Sequence, residues 1–208
     1  MAEDVDSWTE LKAELADWSN RSDLTTQIPQ FIASAERRFN RKLRVPEMED
    51  VVSATTLAAT ITLPGNFLAV RALYLNTDPK VVLEPMSPGD LRNRYSAAAT
   101  GQPQNYALQS GNELVFGPAP DSEYAIILNY WEKIPALGST QATNWLLDAH
   151  PDLYRAASLV ELYLFMKDES AAAIWEARTE TLIEELNALA RRKATGGAPV
   201  RIRPPQSV

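Results

Sequence analysis

The pattern of the sequence changes from strand-like to helical at Thr143-Asn144-Trp145-Leu146-Leu147-Asp148-Ala149-His150-Pro151-Asp152-Leu153-Tyr154. Asn144 and Asp148 have side chains that can cap a helix, and Pro151 suits a first helical turn, where its missing N–H costs no hydrogen bond. Apolar residues then recur at steps of three and four, which predicts an amphipathic helix. They are Leu153, Ala156, Ala157, Val160, Leu164 and Phe165. We expect this helix, over about residues 151–166, to provide the face against which the rest of the chain packs.

A second C-terminal helix is predicted over about residues 171–192. Its apolar side is expected to consist of Ile174, Ala177, Thr181, Leu182, Leu186 and Leu189. Gly196-Gly197 ends the helical pattern, and the prolines that follow keep the end of the chain extended.

Two helices are also predicted at the other end of the chain. Ser7 and Glu10 have the spacing of a capping box at the start of a helix over residues 7–18. The next helix is predicted from about Gln27 to Leu43, with Thr26 as its cap. The apolar faces are Trp8, Leu11, Leu15 and Trp18 in the first helix, and Ile28, Phe31, Ile32, Ala35, Phe39 and Leu43 in the second.

Between these helical regions the period of the apolar residues falls to two, which indicates strands. The strongest strand pattern is Tyr124 to Trp131, Ser110-Gly111-Asn112 is typical of a hairpin turn, and Ser87-Pro88 predicts a brief helix. The order helices, strands, helices favours an α+β fold. Antiparallel helices from both chain ends would carry an inserted small antiparallel β-subdomain, built as a meander, and an extended C-terminal tail.

The predicted organisation has four parts. Residues 1–48 form an N-terminal helical part and residues 49–138 the inserted β-subdomain. Residues 139–194 form a C-terminal helical part that completes the helical domain, and residues 195–208 form an extended basic tail.

Composition excludes several kinds of site. The chain has 208 residues, a formal charge of -7 and no cysteine, so it has no disulfide framework and no thiolate metal site. No apolar run reaches the length of a membrane span, and we expect no membrane segment and no cofactor. No acid follows Glu185, so the body of the chain is acidic and its end basic. An acidic body argues against binding nucleic acid through most of the surface.

No catalytic residue is predicted. His150 is the only histidine, and as a general base it would need an orienting carboxylate such as Asp148 or Asp152. We interpret it as a turn or capping residue. The sequence has no Gly-rich phosphate loop, nucleophile elbow or calcium-loop spacing. A hydrolase built on two acids that meet in space stays an alternative, because sequence does not show which acids meet.

A basic cluster lies at the end of the second predicted helix. It consists of Arg37, Arg38, Arg41, Lys42 and Arg44. Two short helices joined by a turn resemble a helix-turn-helix, which would suit a small DNA-associated or regulatory protein. We favour a solvated or subunit-facing helix end, because the start of the second helix, where base-reading residues lie, is Gln27-Ile28-Pro29-Gln30. In an assembly the cluster could pair with Glu10, Glu14 and Asp17 of a neighbouring copy.

The tail contains an alternation of apolar and basic residues, namely Val200, Arg201, Ile202 and Arg203. We predict a partner-binding arm that adds a strand to a partner's sheet edge or lays its arginines on an acidic surface. A terminus that binds nothing is equally compatible with the sequence.

Five stretches, in order along nearly the whole chain, resemble the head-to-tail adaptor (connector) proteins of tailed bacteriophages. They are Trp18 to Leu24, Phe31 to Arg44, Leu63-Pro64-Gly65-Asn66-Phe67-Leu68, Tyr130-Trp131-Glu132-Lys133-Ile134-Pro135-Ala136-Leu137 and Asn144 to Tyr154. None is a catalytic signature, so the resemblance rests on order and coverage.

The resemblance implies a virion structural protein of the head–tail junction, made in the cytoplasm of the bacterial host. About twelve copies (a dodecamer) would form a closed ring below the portal protein. The ring would extend the DNA channel and bind the next tail component, such as a nozzle, a tail hub or a tail terminator. DNA would pass through it at genome ejection without sequence-specific binding. C-terminal extensions in this family reach the portal, which would make the portal the partner of the arm.

The alternatives from other classes make different predictions. A DNA-associated or regulatory protein would show salt-sensitive retention on DNA. A cell-wall hydrolase would lose its activity when one or two buried acids are changed.

Overall fold

The computed structural model describes residues 7–194, and the chain divides into two compact units. The helical unit comprises Met1–Glu47 and Ile134–Val208, and the β unit comprises Met48–Lys133. The predicted α+β fold is confirmed. The predicted extended tail, residues 195–208, lies outside the described residues. Within residues 7–194, no helix combines the length and the apolar character that crossing a bilayer requires.

The elements follow one another along residues 7–194 in the order helices, strands, helices. The helices are α1 (Trp8–Ser19), α2 (Ile28–Lys42), α3 (Pro88–Arg94), α4 (Trp145–Ala149), α5 (Pro151–Phe165) and α6 (Glu169–Ala194). The strands are β1 (Glu49–Thr56), β2 (Thr60–Thr62), β3 (Phe67–Leu75), β4 (Val81–Val82), β5 (Glu84–Pro85), β6 (Asn105–Gln109), β7 (Glu113–Gly117) and β8 (Tyr124–Glu132). A 3₁₀ turn, Pro46–Met48, precedes β1. Helix α3 and all the strands belong to the β unit.

The first backbone N–H groups of α1 and α2 are hydrogen-bonded in two different ways. The Ser7 hydroxyl accepts a hydrogen bond from the backbone N–H of Glu10 at 3.3 Å, so the predicted cap of α1 is confirmed. The predicted Thr26 cap of α2 is wrong: the N-cap residue is Gln27, which makes no side-chain cap bond. The carbonyl of Leu24 instead accepts from the N–H groups of Gln27 and Ile28, at 2.9 and 3.0 Å. The preceding turn thus satisfies the first donors, which a side-chain cap would otherwise serve.

Helix α5 is the centre of the helical unit, as its stripe predicts. It packs against α1, α2, α4 and α6. Its buried residues are Leu153, Tyr154, Ala156, Ala157, Ser158, Leu159, Val160 and Leu162. Leu164 and Phe165, predicted as core, are 51% and 54% exposed. The last turn of α5 therefore reaches beyond the helices that cover the rest of it.

Helix α6 packs through a different face from the predicted one. Ile174 and Leu189 are 71% and 51% exposed. The buried residues are Ala172, Thr179, Ile183 and Ala190. Three of these four are small, so α6 approaches α5 closely, and the Thr179 hydroxyl is satisfied by donating to the Trp175 carbonyl at 2.8 Å. The sequence pattern misled because the larger apolar side chains were assigned to the core.

The β unit consists of two four-stranded sheets, with strand orders β1-β8-β3-β4 and β2-β7-β6-β5. The predicted meander is wrong, because β8 pairs with both β1 and β3. All pairs are antiparallel except β5 with β6. The hairpin β6–β7 is confirmed, with positive φ angles at Gly111 and Asn112. Both sheets contribute to one core of Leu63, Leu73, Leu75, Leu83, Tyr106, Leu114, Phe116, Ile126, Leu128 and Tyr130.

Strand β1 lies at an edge of its sheet and is exposed on both faces from Asp50 to Thr55. The sequence did not predict it, because a strand open on both faces needs no alternation of apolar and polar residues. Backbone pairing with β8 holds it, over Glu49↔Trp131 to Thr56↔Tyr124. The Tyr130 hydroxyl also donates to Asp50 at 2.8 Å, and burial together with this bond raises the pKa of Tyr130 to about 12.

A buried polar cluster joins α2 to the segment that precedes α4. The Glu36 carboxylate accepts from the backbone N–H of Leu137 at 2.7 Å and from the Tyr154 hydroxyl at 3.3 Å. The Asn144 amide donates to Tyr154 and to the Pro135 carbonyl, at 2.8 and 2.7 Å. Burial raises the pKa of Glu36, and the bond from Leu137 opposes the rise. The predicted helix cap at Asn144 is confirmed, since its oxygen accepts from Leu147 N–H at 2.9 Å.

Glu36 gives the stability of the protein a defined pH dependence. A pKa above the ordinary 4.5 means that the folded state binds the proton more tightly than the unfolded state. This stabilisation is complete below pH 4.5 and is lost as pH rises through the raised pKa. The substitution Glu36→Gln keeps one acceptor oxygen and removes the titration. In urea unfolding, we expect the free energy of unfolding of this variant to change less with pH. The variant should exceed the unsubstituted protein in stability most clearly near neutral pH.

The control is Glu36→Ala, which leaves the Leu137 amide and the Tyr154 hydroxyl unpaired. It should destabilise the protein at every pH, by about 1–3 kcal/mol for each unpaired group. Equal pH profiles for the Gln variant and the unsubstituted protein would refute the role of Glu36.

Candidate partner-binding surfaces

The basic cluster divides into side chains used within the chain and side chains that face outward. Arg38, 11% exposed, lies 2.5 Å from the Glu176 carboxylate and also pairs with Glu180. Lys42 lies 2.6 Å from the same oxygen of Glu180. Burial alone lowers the pKa of Arg38, but the two carboxylates outweigh it and the net shift is upward. The hydrogen bonds from Lys42 and Arg38 lower the pKa of Glu180. These contacts bind α2 to α6.

Arg44 closes the end of α2. Its guanidinium donates to the carbonyls of Asn40 and Leu43. Its backbone N–H donates to the Asn187 side chain at 2.9 Å, and Asn187 donates to the Lys42 carbonyl at 3.0 Å. The last carbonyls of a helix lack partners in the helix itself, so Arg44 and Asn187 act as a cap.

Arg37 and Arg41 are the members of the cluster that remain outward. Arg37 is exposed and donates to Ser34 on its own helix at 2.8 Å. Arg41 is exposed and has no ion-pair partner within residues 7–194. Four positions apart, they lie on one face of α2. A subunit interface at the cluster stays a prediction, and it now rests on these two residues.

The acids predicted to face this cluster are in different situations. Glu14 pairs with Arg155 at 2.5 Å within the chain. Asp17 is exposed, and its carboxylate has no partner within residues 7–194. The neighbouring Trp18, predicted as core, is 49% exposed, so α1 ends in an acid beside a large aromatic surface.

A groove opens between α2 and α5. Its floor is Phe31, Leu164 and Phe165, and its rim includes Gln30, Ser34, Arg37 and Glu161. The groove has a volume of about 480 Å³. Pockets of about 300–1,000 Å³ hold drug-sized molecules, so the groove has room for a large side chain.

Within residues 7–194, neither Asp148 nor Asp152 makes a hydrogen bond to His150, which instead lines a small cavity with Glu47 and Lys193. His150 separates α4 from α5 and makes no side-chain cap bond. The predicted cap at Asp148 is wrong: Asp148 lies within α4, and its carboxylate accepts from the Thr143 hydroxyl. Across residues 7–194, no group of three or more acids or histidines has a metal-binding arrangement. The predicted arm, Val200, Arg201, Ile202 and Arg203, lies outside the described residues.

Two features were not predicted from the sequence: the ion pairs between α2 and α6, and the groove between α2 and α5. Only the ion pairs could have been recognised from the spacing of their residues. Glu176 and Glu180 are four residues apart, as are Arg38 and Lys42. Matching steps of four on two helices indicate ion pairs across a helix packing. The groove had no signal, because it depends on where the last turn of α5 ends relative to α2.

These units define an α+β protein that leaves an apolar groove, two arginines and a sheet edge open to solvent. The family model described as SU10 adaptor protein matches residues 6–203. The match spans nearly the whole chain, and the chain belongs to this family of phage structural adaptor proteins. The resemblance predicted from the sequence is confirmed. A comparison with curated proteins finds no match.

Removal of Arg38 should weaken the attachment of α2 to α6. Arg38→Ala leaves two carboxylates without their shared cation, and we expect a loss of about 1–3 kcal/mol in the free energy of unfolding. This is less than for a fully buried pair, because both acids are partly exposed. The matched control is Arg41→Ala on the same helix, expected to change stability by less than about 0.5 kcal/mol. Urea unfolding measures both.

The loss of stability in Arg38→Ala should also depend on pH. A carboxyl group with a lowered pKa stabilises the folded state above its ordinary pKa and loses this effect as pH falls through the folded value. The difference between Arg38→Ala and the unsubstituted protein should therefore shrink as Glu180 is protonated. A difference that stays constant in acid would mean that packing of the Arg38 stem, not its charge, is responsible.

Proposed function

We propose that the chain is a head-to-tail adaptor that forms a ring below the portal protein, extends the DNA channel and links the portal to the tail. The observation that carries this proposal is the family match over residues 6–203. About twelve copies would close the ring through two different patches on each subunit. This function requires surfaces that fit one another and needs no catalysis. The charged side chains between α2 and α6 suit it, because they make structural contacts.

The three parts of the chain have separate roles in this proposal. The helical unit makes the ring, the β unit presents a face to the next tail component, and residues 195–208 reach the portal as an arm. The formal charge of -7 suits a channel through which DNA slides without adhering, since like charges repel.

The DNA-associated alternative loses support at the basic cluster. Arg38, Lys42 and Arg44 are occupied by contacts within the chain. Two outward arginines make a small phosphate-binding surface on an acidic protein. We expect the chain to leave a DNA column at low salt.

The arm is tested by mixing the chain with the portal ring of the same phage and measuring mass by native mass spectrometry. We expect the full chain to add as about a dozen copies, the closed ring of this proposal, and a chain truncated after Gly197 to fail. A full-length variant with Arg201→Ala and Arg203→Ala separates charge from strand addition. Binding that survives truncation would remove the arm as the anchor, and no binding by the full chain would refute the portal assignment.

The docking face of the β unit is tested at the edges of one sheet. A free edge strand is a ready template for another chain, and β1 and β4 are the edges of the same sheet. Val51 of β1 is 60% exposed and Val82 of β4 is 67% exposed. We expect Val51→Lys to reduce binding of the next tail component to portal–adaptor particles in a pull-down, and Val82→Lys to leave it unchanged. Unchanged binding for both variants would place the docking face elsewhere, and an equal loss for both would contradict the assignment to β1.

A further inference from the structure

We propose that neighbouring copies join when Trp18 of one copy enters the groove between α2 and α5 of the next, with Asp17 beside Arg37. This inference rests on the proposed ring, and it assigns the two patches that the ring needs. The occupant of the groove is therefore a second copy of this chain.

Trp18 is an exposed anchor that is already held in place. Its ring packs edge-on against Trp175, with centroids 5.2 Å apart, and the Arg155 guanidinium lies 5.8 Å from its centroid. Half of its surface remains in solvent. A side chain ordered before binding loses little further conformational freedom, and tryptophan is enriched among the residues that dominate interface energies.

The groove is apolar where the indole would lie. Leu164 and Phe165 expose about half of their surfaces, and Phe165 packs on Phe31 at 5.5 Å between centroids. Neighbouring exposed apolar side chains of this size are a property of interaction sites on soluble proteins. Covering them with Trp18 would bury apolar surface on both copies at once.

The anchor and the groove lie on opposite sides of α5. The Tyr163 hydroxyl contacts the Trp18 carbonyl at 3.5 Å, whereas Phe165 lines the groove. Residues two apart are separated by about 200° around a helix. Patches that face away from each other cannot be exchanged mutually by two copies, so they lead to a head-to-tail contact, the kind of contact from which a closed ring is built.

Charge sets the orientation of the contact. The Arg37 guanidinium is on the α2 side of the groove with Ser34 as its bonded neighbour, and Glu161 is on the α5 side. The Asp17 carboxylate would meet Arg37 in one orientation and be repelled by Glu161 in the reverse. Complementary charges at an interface fix register and exclude wrong arrangements more than they add affinity.

The experiment reverses each charge separately and then mixes the variants. Asp17→Arg and Arg37→Asp should each raise the concentration for half-assembly on the portal ring by about tenfold or more, because each reversal places like charges side by side across the contact. In an equimolar mixture, alternating copies give unsubstituted contacts and charge-swapped contacts in turn, so full assembly should return. Mass photometry measures the copies added.

Matched controls reverse charges at exposed positions that contact neither Trp18 nor the groove. Glu184→Arg in α6 and Arg92→Asp in α3 make the same changes of charge and should assemble normally. Leu164→Glu fills the groove with a charge at an already exposed position and should block assembly, with an unchanged urea midpoint showing that the fold is intact.

The outcomes separate this inference from the proposed ring. If the unsubstituted chain assembles and Asp17→Arg, Arg37→Asp and Leu164→Glu also assemble normally, the contact is refuted and the ring stands. If Leu164→Glu alone blocks assembly, the groove binds a surface other than the end of α1, such as residues 195–208 or another protein. Trp18 is then refuted as its occupant. Failure of the unsubstituted chain to assemble on the portal would overturn both.

Discussion

The helical unit depends on covering α5 on every side. Eight of its residues between Leu153 and Leu162 are buried. The four helices around α5 provide this burial. Leaving a polar group of such a helix without a hydrogen bond costs free energy. Tyr154 avoids this cost because Glu36 accepts a hydrogen bond from its hydroxyl and Asn144 donates to its oxygen. The polar cluster therefore follows from the central position of α5.

The same requirement brings together the two ends of the sequence. Helix α2 comes from the first part of the chain and α6 from the last, and both must lie along α5. Arg38 and Lys42 join the acids of α6, and Asn187 joins the end of α2. Ion pairs at partly exposed positions add modest stability. A slip by one turn would keep only part of these contacts, so the ion pairs also favour one alignment of the two helices.

The sequence predicted elements with strong local signals. Ser7 was identified as a cap, Ser87-Pro88 as a helix start and Gly111-Asn112 as a turn, because these signals act over a few residues. The sequence did not predict the packing face of α6, where Ala172, Thr179 and Ala190 are buried in preference to Ile174 and Leu189. Small residues carry little hydrophobic signal, yet they decide how closely helices approach. Strand β1 was missed for a related reason, since backbone pairing rather than burial holds it.

The failed core assignments have something in common. Trp18, Leu164, Phe165, Ile174 and Leu189 all continue apolar stripes that the sequence places inside, and all are about half exposed or more. A chain that needed only to fold would gain solubility from polar residues at these positions. Positions where local pattern and fold disagree are expected to serve function. The apolar pattern of these helices is therefore larger than the monomer can bury, and the part of it at Trp18, Leu164 and Phe165 is the part that the proposed contact between copies would cover.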